Sequence, residues 1–210
     1  MSANEMRTEK YESTGETRIL DGVVLHRIRA LRSFGHIERG DIGGWIASVH
    51  NLRASGDAWV GGNAQVYGNA RVYGNAQVYG DARVCGDARV YGNARVYGNA
   101  QVCGDAQVCG DALVGGNAVV YGDAQVYGDA RVYGNAHYIT LGPLGSRRST
   151  LTICADAAIG WRYTTGCFSG SRAELSAAVD STHPSGCFRG EYEAAIAFAD
   201  AWIAAHEVRA

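Results

Sequence analysis

The chain has 210 residues, a formal net charge of −2 at pH 7 and a hydrophobic fraction of 47%. This balance excludes the strongly basic surface that nucleic acids or anionic membranes attract, and no segment approaches the ~20 apolar residues that span a bilayer. Because alanine and valine supply much of the hydrophobic fraction, we expect a thin core, and neither nucleic acid nor membrane as a partner.

Residues 1–17 are polar, mix both charge signs and contain no apolar segment typical of a secretion signal. They predict a flexible N-terminus and a cytoplasmic protein. Cysteines stay reduced in that compartment, so we expect free thiols. The six cysteines are Cys85, Cys103, Cys109, Cys154, Cys167 and Cys187.

Residues 18–43 predict an N-terminal β cap ahead of a repeat region. Asp21-Gly22 is a hairpin-turn signal between two apolar runs, at residues 18–20 and 23–25. Stacked strands need such a cap because an open strand edge pairs with other chains.

Residues 56–139 consist of fourteen consecutive copies of Gly-Asn/Asp-Ala-x-Val-x. Glycine and alanine keep their columns in all fourteen copies, and valine is replaced once, by Tyr138. The Ala-x-Val alternation predicts a short strand with one buried face, and the glycine with Asn or Asp predicts a sharp bend. A fixed short period of this kind indicates a solenoid, in which each unit packs on its neighbours.

The hexad at residues 66–71, Val-Tyr-Gly-Asn-Ala-Arg, resembles the repeat of the hexapeptide-repeat superfamily. The resemblance implies a mainly β fold, the left-handed parallel β-helix. This is a triangular solenoid in which three hexads, or 18 residues, complete one coil.

Two degenerate hexads precede the regular repeats. They predict Ile46 and Leu52 in the alanine column, with Ser48 and Ala54 in the valine column. Exchanging large for small between paired inward positions conserves volume. We therefore expect the β-helix to span residues 44–139.

Stacking of the coils places side chains in ladders with a spacing of ~4.8 Å. Two of these ladders are rich in tyrosine, and two interpretations stay open. Stacked aromatics stabilise a thin-walled prism, or they form a face that binds a protein partner. The candidates for such a face are Tyr73, Tyr91, Tyr127, Tyr79, Tyr97 and Tyr133.

Two further ladders carry reactive or charged groups. Cys85 and Cys103 are ladder neighbours, close enough to bridge in an oxidising setting. Asp87, Asp105 and Asp123 stack three carboxylates, which predicts either solvated charges or a bound cation.

Residues 140–210 lose the period and predict a small α+β unit. Residues 151–154 and 161–164 are typical of strands, and Ser171 with Glu174 forms a capping box that predicts the start of a helix. A second helix is predicted from a continuous apolar face. That face contains Tyr192, Ala195, Ile196, Ala199, Trp202, Ile203 and His206.

This unit resembles a segment common in tailed-phage and prophage repeat proteins. The similar motifs are Gly-Pro-x-Gly-Ser-Arg at 142–147, Gly-Cys-Phe-x-Gly at 166–170 and Thr-His at 182–183. With the entry segment at 29–34, the resemblance is to the bacterial and prophage branch of the superfamily, many of whose members are labelled transferases. A second Gly-Cys-Phe-x-Gly, at 186–190, departs from that pattern.

The candidate chemistry lies mostly in this C-terminal unit. Cys167 and His183 are candidates for a thiolate–imidazole pair. Together with Cys154 and Cys187 they are also candidate zinc ligands, although the spacing lacks a close Cys-x2-Cys pair. Buried structural cysteine is the alternative to both.

Two weaker candidates complete the set. Ser146, Arg147 and Arg148 follow a glycine and predict an anion-binding turn, with a solvated loop as the alternative. His137, the single histidine of the repeats, is a candidate general base or an ordinary surface residue. One histidine excludes the carbonic-anhydrase type of hexapeptide-repeat enzyme, which needs three zinc-binding histidines.

Two classes of function follow. Unbroken repeats without an extruded loop favour a non-enzymatic scaffold, a phage- or prophage-type accessory protein that presents a rigid β-helix to a protein partner. The resemblance implies the alternative, an acyltransferase that uses acyl-CoA as its substrate. Because members of the superfamily commonly associate through flat faces, a homotrimer is expected in either case.

Overall fold

The computed structural model describes residues 6–206, in which the repeats build a parallel β-solenoid. Pairs such as Gln65↔Arg83 and Val66↔Val84 are 18 residues apart in sequence. In the two inward columns of the repeat, the alanines and valines from Ala58 to Val132 are at most 1% exposed. The predicted fold class, with its 18-residue coil, is therefore confirmed, while the left hand of the coil stays a prediction from the resemblance.

Each of the first thirteen repeats contributes a two-residue strand to one of three faces. The first face contains β3 (Ile42–Ile46), β5 (Gln65–Val66), β8 (Arg83–Val84), β11 (Gln101–Val102) and β14 (Val119–Val120). The second contains β4 (Trp59–Val60), β7 (Gln77–Val78), β10 (Arg95–Val96), β13 (Leu113–Val114) and β16 (Arg131–Val132). The third contains β6 (Arg71–Val72), β9 (Arg89–Val90), β12 (Gln107–Val108) and β15 (Gln125–Val126).

The corners of the solenoid require glycine for two reasons that act together. Gly86 has a φ of 68°, a conformation that side chains with a Cβ rarely adopt. A Cβ at this position would also lie 2.9 Å from the nitrogen and 3.0 Å from the oxygen of Gly104 on the next coil. At the corners from Gly56 to Gly110, each glycine faces the glycine of the next coil, so the coils touch there through bare backbone.

The Asn/Asp column beside these glycines forms hydrogen-bonded ladders. The Nδ2 of Asn69 donates to Asp87 at 3.0 Å, and Asn75 donates to Asn93 at 3.1 Å, which in turn donates to Asp111 at 3.1 Å. Each bond joins neighbouring coils along the axis, so the side chains stiffen the corners from outside.

The first coil differs from the prediction. Ile46 pairs with Val66 and Leu52 bridges to Val72, so both lie in the valine column and not in the alanine column. Both side chains are fully buried, because the valine column offers the larger inward space. The sequence register predicted for this coil was therefore wrong.

An enlarged corner explains the shift. Three residues separate Leu52 from Gly56, whereas one residue separates valine from glycine in the regular repeats. The extra length is Ala54 and Ser55, which lie in the corner, while Ser48 caps a 3₁₀ turn over Val49–Asn51. Neither Ala54 nor Ser48 occupies the valine column that was predicted for it.

The N-terminal hairpin is confirmed and extends further back than predicted. β1 (Tyr11–Leu20) and β2 (Val23–Ala30) are antiparallel and joined at Asp21-Gly22, both with positive φ, and β2 pairs with β3. Residues 11–17, predicted to be flexible, thus belong to a strand, and Met6 is fully buried. Their polar composition did not reveal that they cover the end of the solenoid.

Polar side chains close this end of the solenoid. In later coils, the backbone carbonyls of the glycine and alanine columns accept hydrogen bonds from N–H groups of the preceding coil. The first coil has no preceding coil, so its carbonyls in these columns lack a backbone donor. Lys10, which is fully buried, donates to the carbonyls of Gly56 at 3.0 Å and Ala58 at 2.6 Å. Burial lowers the pKa of Lys10 to about 8, and the charge of Arg32 adds to this effect.

At the C-terminal end of the solenoid, side chains supply hydrogen-bond acceptors instead of donors. Backbone N–H groups of the last coil have no further coil to bond, and side-chain oxygens replace it. The N–H of Val119 donates to Oδ1 of Asn135 and that of Gln125 to Oγ1 of Thr152, both at 2.9 Å. Each end thus carries side chains that complement its unpaired backbone groups. A side-chain donor meets free carbonyls at the N-terminal end, and side-chain acceptors meet free N–H groups at the C-terminal end.

The C-terminal unit is a small sheet covered by two helices. The sheet contains β17 (Tyr138–Leu144), β18 (Ser149–Asp156), β19 (Gly160–Thr165) and β20 (Phe168–Gly170), and the helices are α1 (Arg172–Thr182) and α2 (Cys187–His206). The capping box of Ser171 and Glu174 is confirmed, as is the apolar face of α2, where Ala195 and Ile196 are buried. Among residues 6–206, no helix is long and apolar enough to cross a membrane.

The expectation of free thiols is wrong for one pair. Cys85 and Cys103 are ladder neighbours with Cα atoms 4.7 Å apart, and they form a disulfide. The ladder brings them within bridging distance, a local geometry that the argument from cellular compartment ignores.

Candidate functional site

A trough runs along the second face of the solenoid and encloses about 1100 Å³. Its floor consists of outward residues from successive coils, Gln77, Arg95, Leu113 and Arg131. Corner residues such as Asp57 and Asn93 line one side, and Tyr79 lines the other. Residues of the 35–42 segment close its N-terminal end.

The arginines on the floor of the trough have no carboxylate partner among the described residues. Arg95 and Arg131 project from its floor, and neither forms a salt bridge with any residue in the 6–206 range. Asp57 and Asp111 stand at its edge, in the corner column. Arg131 donates to the hydroxyl of Tyr133 at 3.5 Å and Asp111 accepts from Asn93, so the guanidinium of Arg95 is the charged group of the floor without a hydrogen-bond partner among the described residues.

The tyrosine ladder beside the trough is rigid. The rings of Tyr79 and Tyr97 stack at 5.3 Å and 6°, and Tyr133 packs edge-on against Tyr97 at 6.4 Å. Burial raises the pKa of Tyr97 to about 12, and its hydrogen bond with Tyr133 adds to the shift. The end of the ladder is open, since Tyr79 is 41% exposed and Gly61 precedes it in the column.

In the other tyrosine ladder, the rings stack and two of the hydroxyls have a hydrogen-bond partner. Tyr73 stacks on Tyr91 at 4.9 Å and 1°, and the hydroxyls of Tyr91 and Tyr127 both donate to Oε1 of Gln107, at 3.4 and 3.0 Å. Burial raises the pKa of both Tyr91 and Tyr127. These three candidates thus make the contacts of a stabilising stack, whereas Tyr79 borders a concave surface.

A second concave surface lies in the C-terminal unit, with a volume of about 290 Å³. We refer to it as the cleft. It brings together four predicted residues, Ser146, Arg147, Cys167 and His183. Cys167 is held out by the two-residue turn between Thr165 and Phe168, which pair across β19 and β20.

The cleft does not contain a thiolate–imidazole pair. His183 stacks on Tyr192 at 5.9 Å and 16°, and within the described residues no hydrogen bond joins its ring to Cys167. The neighbour of the Cys167 sulfur is Nη1 of Arg147, at 3.9 Å. A cation, and not a base, therefore stands beside the exposed thiol.

The predicted anion-binding turn already holds an anion from the protein itself. The backbone N–H of Gly145 donates to Oε2 of Glu191 at 2.8 Å, and Arg148 lies 3.9 Å from Oε1 of the same carboxylate. Arg148 does not line the cleft. Glu191 is 46 residues away in sequence, so the local motif could not reveal this pairing.

The four candidate zinc ligands do not converge. Cys154 is fully buried against the solenoid core, and burial raises its pKa to about 12, while Cys167 and Cys187 are exposed. No group of three or more His, Cys, Asp or Glu between residues 6 and 206 is placed to hold a metal ion.

The stacked carboxylates of Asp87, Asp105 and Asp123 form no such group either. In it, Asp87 accepts a hydrogen bond from Asn69. The column is therefore part of the corner ladders.

His137 closes the last coil. Its Nδ1 lies 3.4 Å from the backbone nitrogen of Tyr133 and 3.3 Å from the carbonyl oxygen of Arg131, and its ring packs edge-on against Tyr133. The predicted general-base candidate is thus occupied with backbone groups at the end of the solenoid.

Comparison with known families agrees with this architecture. The chain matches the YdcK beta solenoid repeat in five segments, at residues 64–80, 76–88, 88–104, 106–122 and 124–137. The chain is a β-solenoid repeat protein. The matched segments stop before the C-terminal unit, which holds the cleft. A search among curated proteins found no match.

Sequence reasoning missed three parts of these surfaces. The 35–42 segment closes the trough, although nothing in its composition indicates a wall. Thr165 and Tyr192 line the cleft, but Thr165 carried no signal, and Tyr192 was assigned only to the apolar face of α2.

Proposed function

We propose that this protein is a non-enzymatic binding scaffold and that a protein partner lies along the trough. The proposal is supported most directly by Arg95 and Arg131 on a concave floor, since neither guanidinium forms a salt bridge with a described residue. Charged groups without internal partners are the kind that bind complementary groups of another protein.

The rigidity of the surface supports the same function. Coils stacked ~4.8 Å apart carry the floor from Gln77 to Arg131, a span of ~14 Å. Asn/Asp ladders and stacked tyrosines fix the two sides. A preorganised surface loses little entropy when it binds, so an extended segment of a partner is a suitable ligand.

No observation specifically favours the acyltransferase alternative. His137 is bonded to backbone groups of the last coil, and the repeats from 56 to 139 carry no inserted loop. A place in the transferase-labelled branch, a phage or prophage accessory role, a cytoplasmic location and a homotrimer are part of the proposal and need their own tests.

Charge reversal in the trough tests the proposal. Arg95→Glu should abolish capture of the partner from cell extracts after crosslinking. Arg89→Glu is the matched control, because it reverses the equivalent exposed residue of the third face. Equal loss in both variants, or unchanged capture by Arg95→Glu, would contradict binding of the partner in the trough.

Binding of acetyl-CoA distinguishes the acyltransferase alternative from the scaffold proposal. A ligand that binds only the folded state raises the melting temperature by mass action. The scaffold proposal predicts no shift at millimolar acetyl-CoA, and a clear shift that His137→Ala removes would replace it with the acyltransferase.

A further inference from the structure

We propose that the cleft of the C-terminal unit binds a small organic anion, a carboxylate with an apolar body. The proposal concerns a separate surface and stands apart from partner binding in the trough. It rests on the size of the cleft, on its charge and on an unpaired buried hydroxyl.

The charge of the cleft selects an anion. Arg147 lies at its wall and forms no salt bridge with a described residue. None of the described residues that line the cleft is acidic. The neighbouring Arg148 differs, because it is paired with Glu191. Arg147 is therefore free to form the charge-assisted hydrogen bonds that a carboxylate accepts.

The apolar floor of the cleft favours a ligand with an apolar body. Leu175 and Val179 of α1 are buried at 2% and 5% exposure, and Phe168 and Tyr192 add partly buried aromatic surface. A volume of about 290 Å³ lies at the small end of ligand pockets, which typically span ~300–1,000 Å³. The ligand is thus a small molecule rather than a polymer.

Thr165 supplies an unsatisfied polar group. The residue lines the cleft, is 8% exposed and has no hydrogen-bond partner for its Oγ1. A buried hydroxyl without a partner is unfavourable, so a bound carboxylate would satisfy it.

Protection of Cys167 from alkylation measures binding directly. Cys167 lines the cleft beside Arg147 and is exposed, and Cys187 is an exposed reference thiol outside it. The full-length protein is treated with iodoacetamide, with and without hexanoate, and each cysteine is quantified by peptide mass spectrometry. Two further probes serve as controls: hexanamide lacks the charge, and acetate lacks the apolar body.

A ligand of this size is expected to bind with roughly millimolar affinity. At about 20 mM, hexanoate should slow the alkylation of Cys167 about twentyfold by mass action and leave Cys187 unchanged. Hexanamide and acetate should each protect Cys167 several times less. Equal protection by hexanamide, equal slowing at Cys187, or no protection of Cys167 would overturn the proposal.

Three variants assign the effect to residues. Arg147→Gln should reduce protection about five- to tenfold, and Arg148→Gln, the matched control in the same turn, should keep it. Thr165→Val should weaken protection without lowering the melting temperature, because the hydroxyl it removes has no partner in the protein. Full protection in Arg147→Gln, or a loss in Arg148→Gln as large as in Arg147→Gln, would reject the assignment.

Discussion

Replacing a corner glycine with alanine tests whether the coils touch through bare backbone. In Gly86→Ala the new Cβ meets two penalties, the positive φ of 68° and the approach of 2.9 Å to the next coil. Alanine in a left-handed conformation costs roughly 1–2 kcal/mol. Forcing the coils apart adds roughly 2 kcal/mol, as in other overpacked sites. We therefore expect the free energy of unfolding to fall by about 3–4 kcal/mol.

Gly122→Ala separates these two penalties. Its φ is 64°, close to that of Gly86, but no heavy atom lies within 4 Å of an added Cβ. Only the conformational cost remains, so the expected loss is roughly 1–2 kcal/mol. Urea denaturation followed by circular dichroism measures both variants against the parent protein. If the two substitutions destabilise the protein equally, corner-to-corner contact is not what requires glycine.

Three further predictions concern other parts of the chain. Burial acts to raise the pKa of Asp156, but hydrogen bonds from Arg162 and two backbone N–H groups outweigh it and lower the pKa. Stability from this pair is therefore present at neutral pH and lost as the pH falls below ~4. Asp156→Asn should cost about 3 kcal/mol at pH 7 and progressively less as the pH falls below ~4, in denaturation curves across that range. Ser171→Ala should cost about 1 kcal/mol, measured the same way, because it removes the helix cap. The denatured, unreduced protein should show four free thiols in a thiol titration, since Cys85 and Cys103 are bridged, and six would contradict the disulfide.

The sequence was sufficient for features that are repeated or strictly local. The Ala-x-Val alternation predicted which residues point inward, since strand geometry alone determines it. Asp21-Gly22 and the pair Ser171 and Glu174 were likewise correct, because a hairpin turn and a capping box depend on a few neighbouring residues.

Features that depend on distant residues were missed or placed wrongly. The register of Ile46 depends on an enlarged corner downstream, which a strict period hides. Lys10 looked like part of a flexible terminus, but the unpaired carbonyls of the first coil hold it in place. Arg148 was a candidate for an external anion until the fold brought Glu191 beside it.

Cysteine crosslinking measures the coil period most directly. In a variant without the native cysteines, Arg71→Cys with Arg89→Cys places two thiols on adjacent strands of the third face, 18 residues apart. Their Cα atoms should then lie ~4.8 Å apart. Arg71→Cys with Arg83→Cys places them on different faces. Mild oxidation should bridge the first pair and leave the second reduced; bridging of the second pair, or of neither, would contradict the solenoid described above.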